Sequence, residues 1–172
     1  MKILHIVQYC FDDFPGGIQR YVKDLSSMQV SDGCSVEIFC SGKKNKSKQE
    51  KPLVHKFSSF SIFRTPICIG MIKKFLSCKC EIVHIHAQFP LTGELIAFLC
   101  RLKKIPVVTT YHNEPYLSNR GVIGNVLRIF WERFLVMILL HCSDKIIVTT
   151  KEFFSSSRVL KKDEKKENIY PF

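Results

Sequence analysis

Along this chain short apolar runs alternate with polar stretches, and the polar residues collect where the apolar runs stop. Residues 4–7, 82–85, 107–108 and 146–148 read as strands from their length and β-branched content. They run into residues 9–17, 86–93, 109–115 and 149–151, and most of these polar stretches then open into helical patterns. In a parallel α/β sheet the carboxyl ends of the strands line one edge, and ligands bind in the crevice outside it. The pattern therefore predicts a small-molecule site built from loops on a wound scaffold.

Read element by element, the spacing predicts a strand over 3–8 and a helix over 18–30, with Ile18, Val22, Leu25 and Met28 on one face. Asp32-Gly33 ends that helix, and strands follow at 35–40 and, more briefly, 53–57. Pro66 precedes a helix-like stretch over 67–76. The run 81–85 suits a central parallel strand covered on both faces. Residues 91–102 read as a helix, and 106–111 as a strand that starts at Pro106, where a missing N–H costs least. A long, nearly all-round apolar helix is expected over 122–142, then a strand over 144–149, a helix over 152–161 and a strand start at 168–170. The expected fold is α/β, a Rossmann-like parallel sheet with helices on both faces, forming one domain over 1–172 without repeats.

The helix over 122–142 has two readings. Covered by a sheet face it is core, whereas protruding Phe130, Trp131 and Phe134 would form a patch of the kind that marks membrane or protein contact. The longest apolar stretch, 134–140, is far short of the ~20 residues a membrane span needs. Residues 1–7 carry one lysine and an apolar run too short for a secretory signal, so they read as the first strand of a cytoplasmic protein. Among eight cysteines, Cys10, Cys34, Cys40, Cys100 and Cys142 lie in or beside apolar runs and read as structural thiols. Cys78-Lys79-Cys80, with Cys68 upstream, lacks the two spaced pairs of a zinc module.

The formal charge of +11 is concentrated at 43–51 and 161–166. Either these are solvated loops and helix faces, or they form a basic surface for anionic lipid headgroups or phosphorylated substrates, worth about 1 kcal/mol per Lys or Arg. Nucleic acid is not expected as a partner, because no helix-turn-helix, RNP-like strand or KH loop is present.

Gly16 and Gly17 follow Pro15 at a helix start, where a glycine pair lets backbone approach a ligand and the free N–H groups favour an anion. The dinucleotide fingerprint is excluded, since an insert over 8–15 separates strand and glycines. His84 and His86 lie two apart on a strand and so share a face, but no third metal ligand is visible beside them. His112 follows Thr109-Thr110-Tyr111 at a strand end and precedes Asn113-Glu114-Pro115. No Ser-His-Asp or Cys-His ordering and no carboxylate pair can be defended.

Residues 3–7, then Pro15-Gly16-Gly17-Ile18-Gln19-Arg20, Glu81-Ile82-Val83-His84-Ile85-His86-Ala87, Ile105-Pro106-Val107-Val108-Thr109-Thr110-Tyr111-His112 and Ser143-Asp144-Lys145-Ile146-Ile147-Val148 together resemble the N-terminal domain of glycosyltransferase family four, of GT-B architecture. The resemblance keeps motif order over nearly the whole chain. It implies sugar transfer with retention from a nucleotide-sugar to a glycan or lipid-linked acceptor, without cofactor or metal. Gly16 and Gly17 match the loop near the donor diphosphate or acceptor phosphate, His112 matches the histidine near the donor sugar, taken as catalytic, and His86 the second histidine of the H-x-H strand end. Thr110 and Asn113 flank His112 and are taken with it as substrate-binding. Residues 167–172 resemble the strand leading to the interdomain junction, and the C-terminal donor domain does not follow, so half of the stabilisation a departing diphosphate needs is missing. The expectation is an acceptor-side domain, inactive alone, served by a separate donor-domain subunit and located in the cytoplasm, with peripheral contact at an anionic inner membrane face. The alternative is a non-catalytic membrane- or protein-docking module.

Overall fold

A computed structural model describes residues 1–42, 52–62, 65–87, 91–113, 121–130, 134–157, 159–160 and 169–171. In chain order its elements are β1 (Lys2–Tyr9), α1 (Gly17–Ser31), β2 (Ser35–Ser41), β3 (Leu53–Phe57), β4 (Phe60–Ile62), β5 (Thr65–Ile67), α2 (Ile69–Ser77), β6 (Ile82–Ala87), α3 (Thr92–Lys103), β7 (Val107–Tyr111), α4 (Gly121–Phe130), α5 (Val136–Cys142), β8 (Lys145–Val148), α6 (Lys151–Ser156) and β9 (Ile169–Pro171). Seven strands form one sheet in the order β3-β2-β1-β6-β7-β8-β9, and every pairing in it is parallel. The chain enters at the middle, winds outward through β2 and β3, and returns to wind the other way from β6. The switch point thus lies between β1 and β6, where the crevice for a ligand opens.

Strand alternation decides what each face carries. Leu4, Ile6, Val83, Ile85, Val107, Tyr111, Ile146 and Val148 form one buried face, packed with Phe75 of α2, Ile96 and Cys100 of α3, and Leu139 and Leu140 of α5. The opposite face is covered by α1, whose Val22 packs with Val7, Val36, Ile38 and Cys40. Helices therefore lie on both sides, as the sequence pattern predicts. Beneath α1, however, the centre of the sheet is polar, because the register pairs His5 with His84 and His86 with Thr110.

Local chemistry fixes the ends of the elements. Gly33, at φ 81, turns the chain out of α1 into β2. Lys104 takes the left-handed conformation after α3, and the Asp144 carboxylate accepts from the Val107 N–H at 2.8 Å, which pins the start of β7 beside β8. The Thr109 hydroxyl meets Ser143 Oγ at 2.7 Å, and Ser143 donates in turn to the Leu139 carbonyl.

Several expected boundaries move. The helix foreseen over 67–76 begins at Ile69, because residues 65–67 pair antiparallel with 60–62 in a small hairpin. The single helix over 122–142 is described as α4 and α5, with Trp131 outside the described residues. The helix over 152–161 stops at Ser156: Thr150 caps its start, while Ser157 Oγ accepts from the Val159 and Leu160 N–H groups and opens a new turn. The lysine-rich segments 43–51 and 161–166 lie outside the described residues, as do Glu114 and Pro115. All eight cysteines are free thiols, and Cys10, Cys40, Cys68, Cys100 and Cys142 are buried.

Candidate functional site

Four histidines meet under α1: His5 of β1, His84 and His86 of β6, and His112 just after β7. His5 Nδ1 lies 3.0 Å from His86 Nε2, and His86 Nδ1 lies 3.3 Å from His112 Nε2. The His84 and His86 rings stack at 4.3 Å between centroids, and the His86 and His112 rings at 5.6 Å. At the inner end, His5 Nε2 is 2.7 Å from Gln29 Oε1 of α1. His84 Nε2 is 2.7 Å from the Thr110 hydroxyl, which also engages the phenol of Tyr21.

These imidazoles are neutral at physiological pH. Burial, with the nearby His5 and His112 adding to it, lowers the His84 pKa to about 3. Burial also takes His112 down to about 4 and holds His86 well below its ordinary value. For His5 burial again dominates, although its bond to Gln29 opposes the shift. The cluster therefore offers hydrogen-bonding nitrogens and no positive charge.

The glycine pair joins this rim through Tyr21. Its ring meets His86 and His112 edge-on, with centroids 5.8 and 5.5 Å away, and Tyr21 sits one helical turn after Gly17. Gly16 is the N-cap of α1 and brings no side-chain cap, and the first turn holds no acidic residue. A Cβ at Gly16 would stand 2.6 Å from Gln19 Oε1, whereas at Gly17 the space is open. The N–H groups at the start of α1 are thus left to solvent or to an anionic ligand.

Of the residues singled out in the sequence, Gly16, Gly17 and Asn113 are exposed and His112 is half-buried. His86 is only 3% exposed and both its nitrogens are engaged, and the Thr110 hydroxyl is likewise buried and engaged. The strand of His86 continues to Ala87, past the histidine that the sequence places at the strand end, so the ring stays under α1.

Three contributors escaped the sequence reading. His5 and Gln29 complete the imidazole chain. Their signal was the cross-strand position of His5 opposite His84, which requires knowing that β1 and β6 are neighbours. Gln8 is the third. Both of its side-chain polar atoms are buried without a hydrogen-bond partner, beside a cavity of about 40 Å³ that is also lined by His86, Thr92 and Gly93. The cavity lies at the carboxyl ends of β1 and β6, at the switch point.

Among the described residues, His5, His84 and His86 are the group whose ligand nitrogens come close enough to hold a cation, within 4.8 Å of one another. The third ligand missing from the sequence reading is therefore His5. A cation there would have to displace the His5–His86 hydrogen bond and would meet no carboxylate among the described residues.

These features define the class of protein: a Rossmann-like domain of the kind that forms half of a GT-B glycosyltransferase. Residues 15–156 match the family model described as Glycosyltransferase Family 4, and the chain belongs to that family. It is 24% identical over 178 residues to the O-antigen chain mannosyltransferase C of Escherichia coli, covering 100% of this chain and 46% of that protein. To the D-rhamnosyltransferase WbpZ of Pseudomonas aeruginosa it is 24% identical over 183 residues, covering 100% of this chain and 44% of that protein. The chain thus spans about half the length of the curated relatives it matches. Among solved structures it resembles an alpha-glucosyltransferase in complex with UDP and a 13-mer DNA, with a TM-score of 0.58, 14% identity and coverage of 100% of this chain and 40% of that one. A sucrose-phosphate synthase from Thermosynechococcus elongatus matches with a TM-score of 0.58 and 15% identity, over 99% of this chain and 47% of that one. The likeness to these two structures is one of fold.

Proposed function

We propose that this chain is the acceptor-side domain of a retaining glycosyltransferase that moves a sugar from a nucleotide-sugar to a glycan or lipid-linked acceptor in the cytoplasm. Family membership supports the reaction class. The observation that carries the reading is the uncapped, glycine-led start of α1 standing at the same sheet edge as the neutral His112, with Tyr21 between them. In this reading the α1 N–H groups attract phosphate oxygens. His112 and the exposed Asn113 hydrogen-bond sugar hydroxyls, while His86 and Thr110 hold the rim in place. Neither metal nor cofactor is required. Turnover needs a donor domain, in the same polypeptide or in a separate subunit, to neutralise the leaving diphosphate.

The test is to titrate the purified chain with nucleoside diphosphates and nucleotide-sugars while following backbone and imidazole NMR signals and sugar transfer. Perturbation at Gly16, Gly17 and His112 without transfer is the expected result. Sustained transfer by this chain alone overturns the need for a donor domain. Unchanged signals at all three positions, with every nucleotide and with a polyprenyl phosphate, overturn the site.

A lipid-linked acceptor has its own support in the surface. Leu91, Leu95, Phe98 and Leu102 form an exposed stripe along α3, and Ile69 and Leu76 another on α2. Ile69, Leu91, Leu95, Phe98 and Ile138 line one apolar groove between α2, α3 and α5. The sole carboxylate in the sequences of α2 to α5 is Glu94, which is buried, whereas Lys73, Lys74, Arg101 and Lys103 are exposed. An apolar face with a basic rim and, among the described residues of these helices, no exposed acid fits an anionic bilayer. No helix among the described residues is long and apolar enough to cross a membrane, so the contact proposed is peripheral.

A further inference from the structure

The imidazole chain has a direction, and the direction follows from its inner end. The oxygen of Gln29 accepts hydrogen bonds and cannot donate. With that oxygen turned toward the ring at 2.7 Å, His5 Nε2 carries the proton, which leaves His5 Nδ1 with its lone pair. His86 Nε2, 3.0 Å from that lone pair, must then be the donor, and a neutral His86 is left with a bare Nδ1. His112 Nε2, 3.3 Å away, donates to it in turn. The last ring is therefore a neutral imidazole protonated on Nε2, with Nδ1 as an acceptor.

We propose that Gln29 is a positioning residue, acting through His5 and His86 to hold His112 as the Nε2–H tautomer. The opposite polarity is the competing state: with His5 protonated on Nδ1, each bond reverses and His112 becomes a donor at Nδ1. Both states satisfy the two bonds between rings, but only the first satisfies the contact with the Gln29 oxygen, since the reversed state sets a bare His5 Nε2 against it, so the side chain at position 29 decides between them. Burial keeps the rings neutral, which the argument requires, because a doubly protonated ring would break the alternation. The consequence for recognition rests on the proposed function: an acceptor nitrogen at His112 selects a ligand group that donates, as a sugar hydroxyl does. The tautomer itself rests on the geometry alone.

The test is long-range proton–nitrogen NMR on the ligand-free chain at neutral pH, which separates protonated from bare ring nitrogens. Three versions are compared: the native chain, Gln29→Glu, which keeps an acceptor, and Gln29→Met, which removes it. The native chain and Gln29→Glu are expected to show His112 protonated on Nε2. Gln29→Met is expected to lose that single-tautomer signature, with the mixed state reported at His5, His86 and His112 together. A native His112 protonated on Nδ1 overturns the proposal, and so does a folded Gln29→Met chain whose His112 remains wholly Nε2–H. The native spectrum decides the matter even if the Met variant does not fold. Because no ligand is added, this outcome is independent of whether the chain binds a nucleotide-sugar.

Discussion

His5 Nδ1 and His86 Nε2, 3.0 Å apart on neighbouring strands, share one hydrogen bond within the sheet's α1 face, and both rings are buried. In so buried a pair the neutral rings are favoured, because a charge on either would be cut off from water. His5, His84, His86 and His112 all have pKa values lowered by burial from the ordinary 6.5, to about 3 for His84 and about 4 for His112. Below the ordinary value the unfolded chain takes up protons that the folded chain refuses. Their stabilising effect is thus complete above pH 6.5 and is lost as pH falls toward the folded values. Each refused proton adds about 1.4 kcal/mol per pH unit to the slope. Urea unfolding at about pH 7.5, 6 and 5 is expected to show a steep decline before ordinary carboxylates titrate. A flat profile over that window would show that the rings ionise freely in the fold.

Thr110 supplies the hydroxyl that His84 and Tyr21 both use. Thr110→Val keeps the volume and removes that oxygen, which leaves His84 Nε2 unpaired in a buried site. The expected loss is about 1–3 kcal/mol, the usual cost of an orphaned buried polar group. Urea titration at neutral pH measures it, and a change within about 0.5 kcal/mol, as at an ordinary surface position, would mean that the histidine finds another partner.

The two glycines make opposite demands. A methyl at Gly17 meets nothing within 4 Å, so Gly17→Ala should keep or raise stability, by up to about 1 kcal/mol from helix propensity. If the bare backbone there is kept for a ligand, the same substitution weakens binding of a nucleoside diphosphate. Gly16→Ala pushes aside the flexible end of Gln19 and puts alanine, a poor N-cap residue, in place of glycine, so it costs stability as well. Calorimetric titration alongside thermal melting separates the effects. Unchanged diphosphate affinity in Gly17→Ala would remove the glycine pair from the site.

Gln8 shows the same separation in a residue the strand pattern hides. Its carboxamide is buried and unpaired beside the switch-point cavity. Replacing it with Leu removes an orphaned polar group, and stability should rise, by up to about 1–3 kcal/mol. If the amide serves a ligand hydroxyl, sugar or acceptor binding should fall at the same time. A Gln8→Leu chain that is no more stable than the native one would indicate that bound water already satisfies the amide.

Much of the scaffold was legible because a parallel sheet writes its strands as apolar runs and its rim as the polar residues after them. That pattern puts the glycine pair, His112 and Asn113 at the rim, where the structure has them. What escaped depends on who neighbours whom. The hairpin over residues 60–67 has a local pattern too short to separate from a helix start. His5 reads as an interruption in an apolar strand until β6 is known to lie beside β1, and Gln29 as a surface residue until α1 is laid over the histidines. Burial of His86 was equally invisible, since its strand runs on to Ala87, past the point where the apolar run ends.

The long apolar segment divides between its two readings: Val136, Leu139, Leu140 and Cys142 of α5 are core, whereas the described aromatic residues before them are exposed. Phe130 is 51% exposed, Phe134 is 57% exposed, and their rings lie 5.2 Å apart. With Val122, Val126 and Ile129 they continue an apolar stripe that faces outward from α4 toward α5. Burying a Phe side chain is worth about 1.5–3 kcal/mol, so in the proposed contact with an anionic bilayer two of them would add appreciably to the contribution of the basic rim. Phe130→Ser combined with Phe134→Ser is therefore expected to leave unfolding stability within about 0.5 kcal/mol, the range of surface substitutions. The same pair should abolish most flotation with vesicles rich in phosphatidylglycerol. Raised salt should weaken the flotation of the native chain. Native chain that stays off anionic vesicles at low salt would assign this face to another partner, such as the remainder of a longer protein.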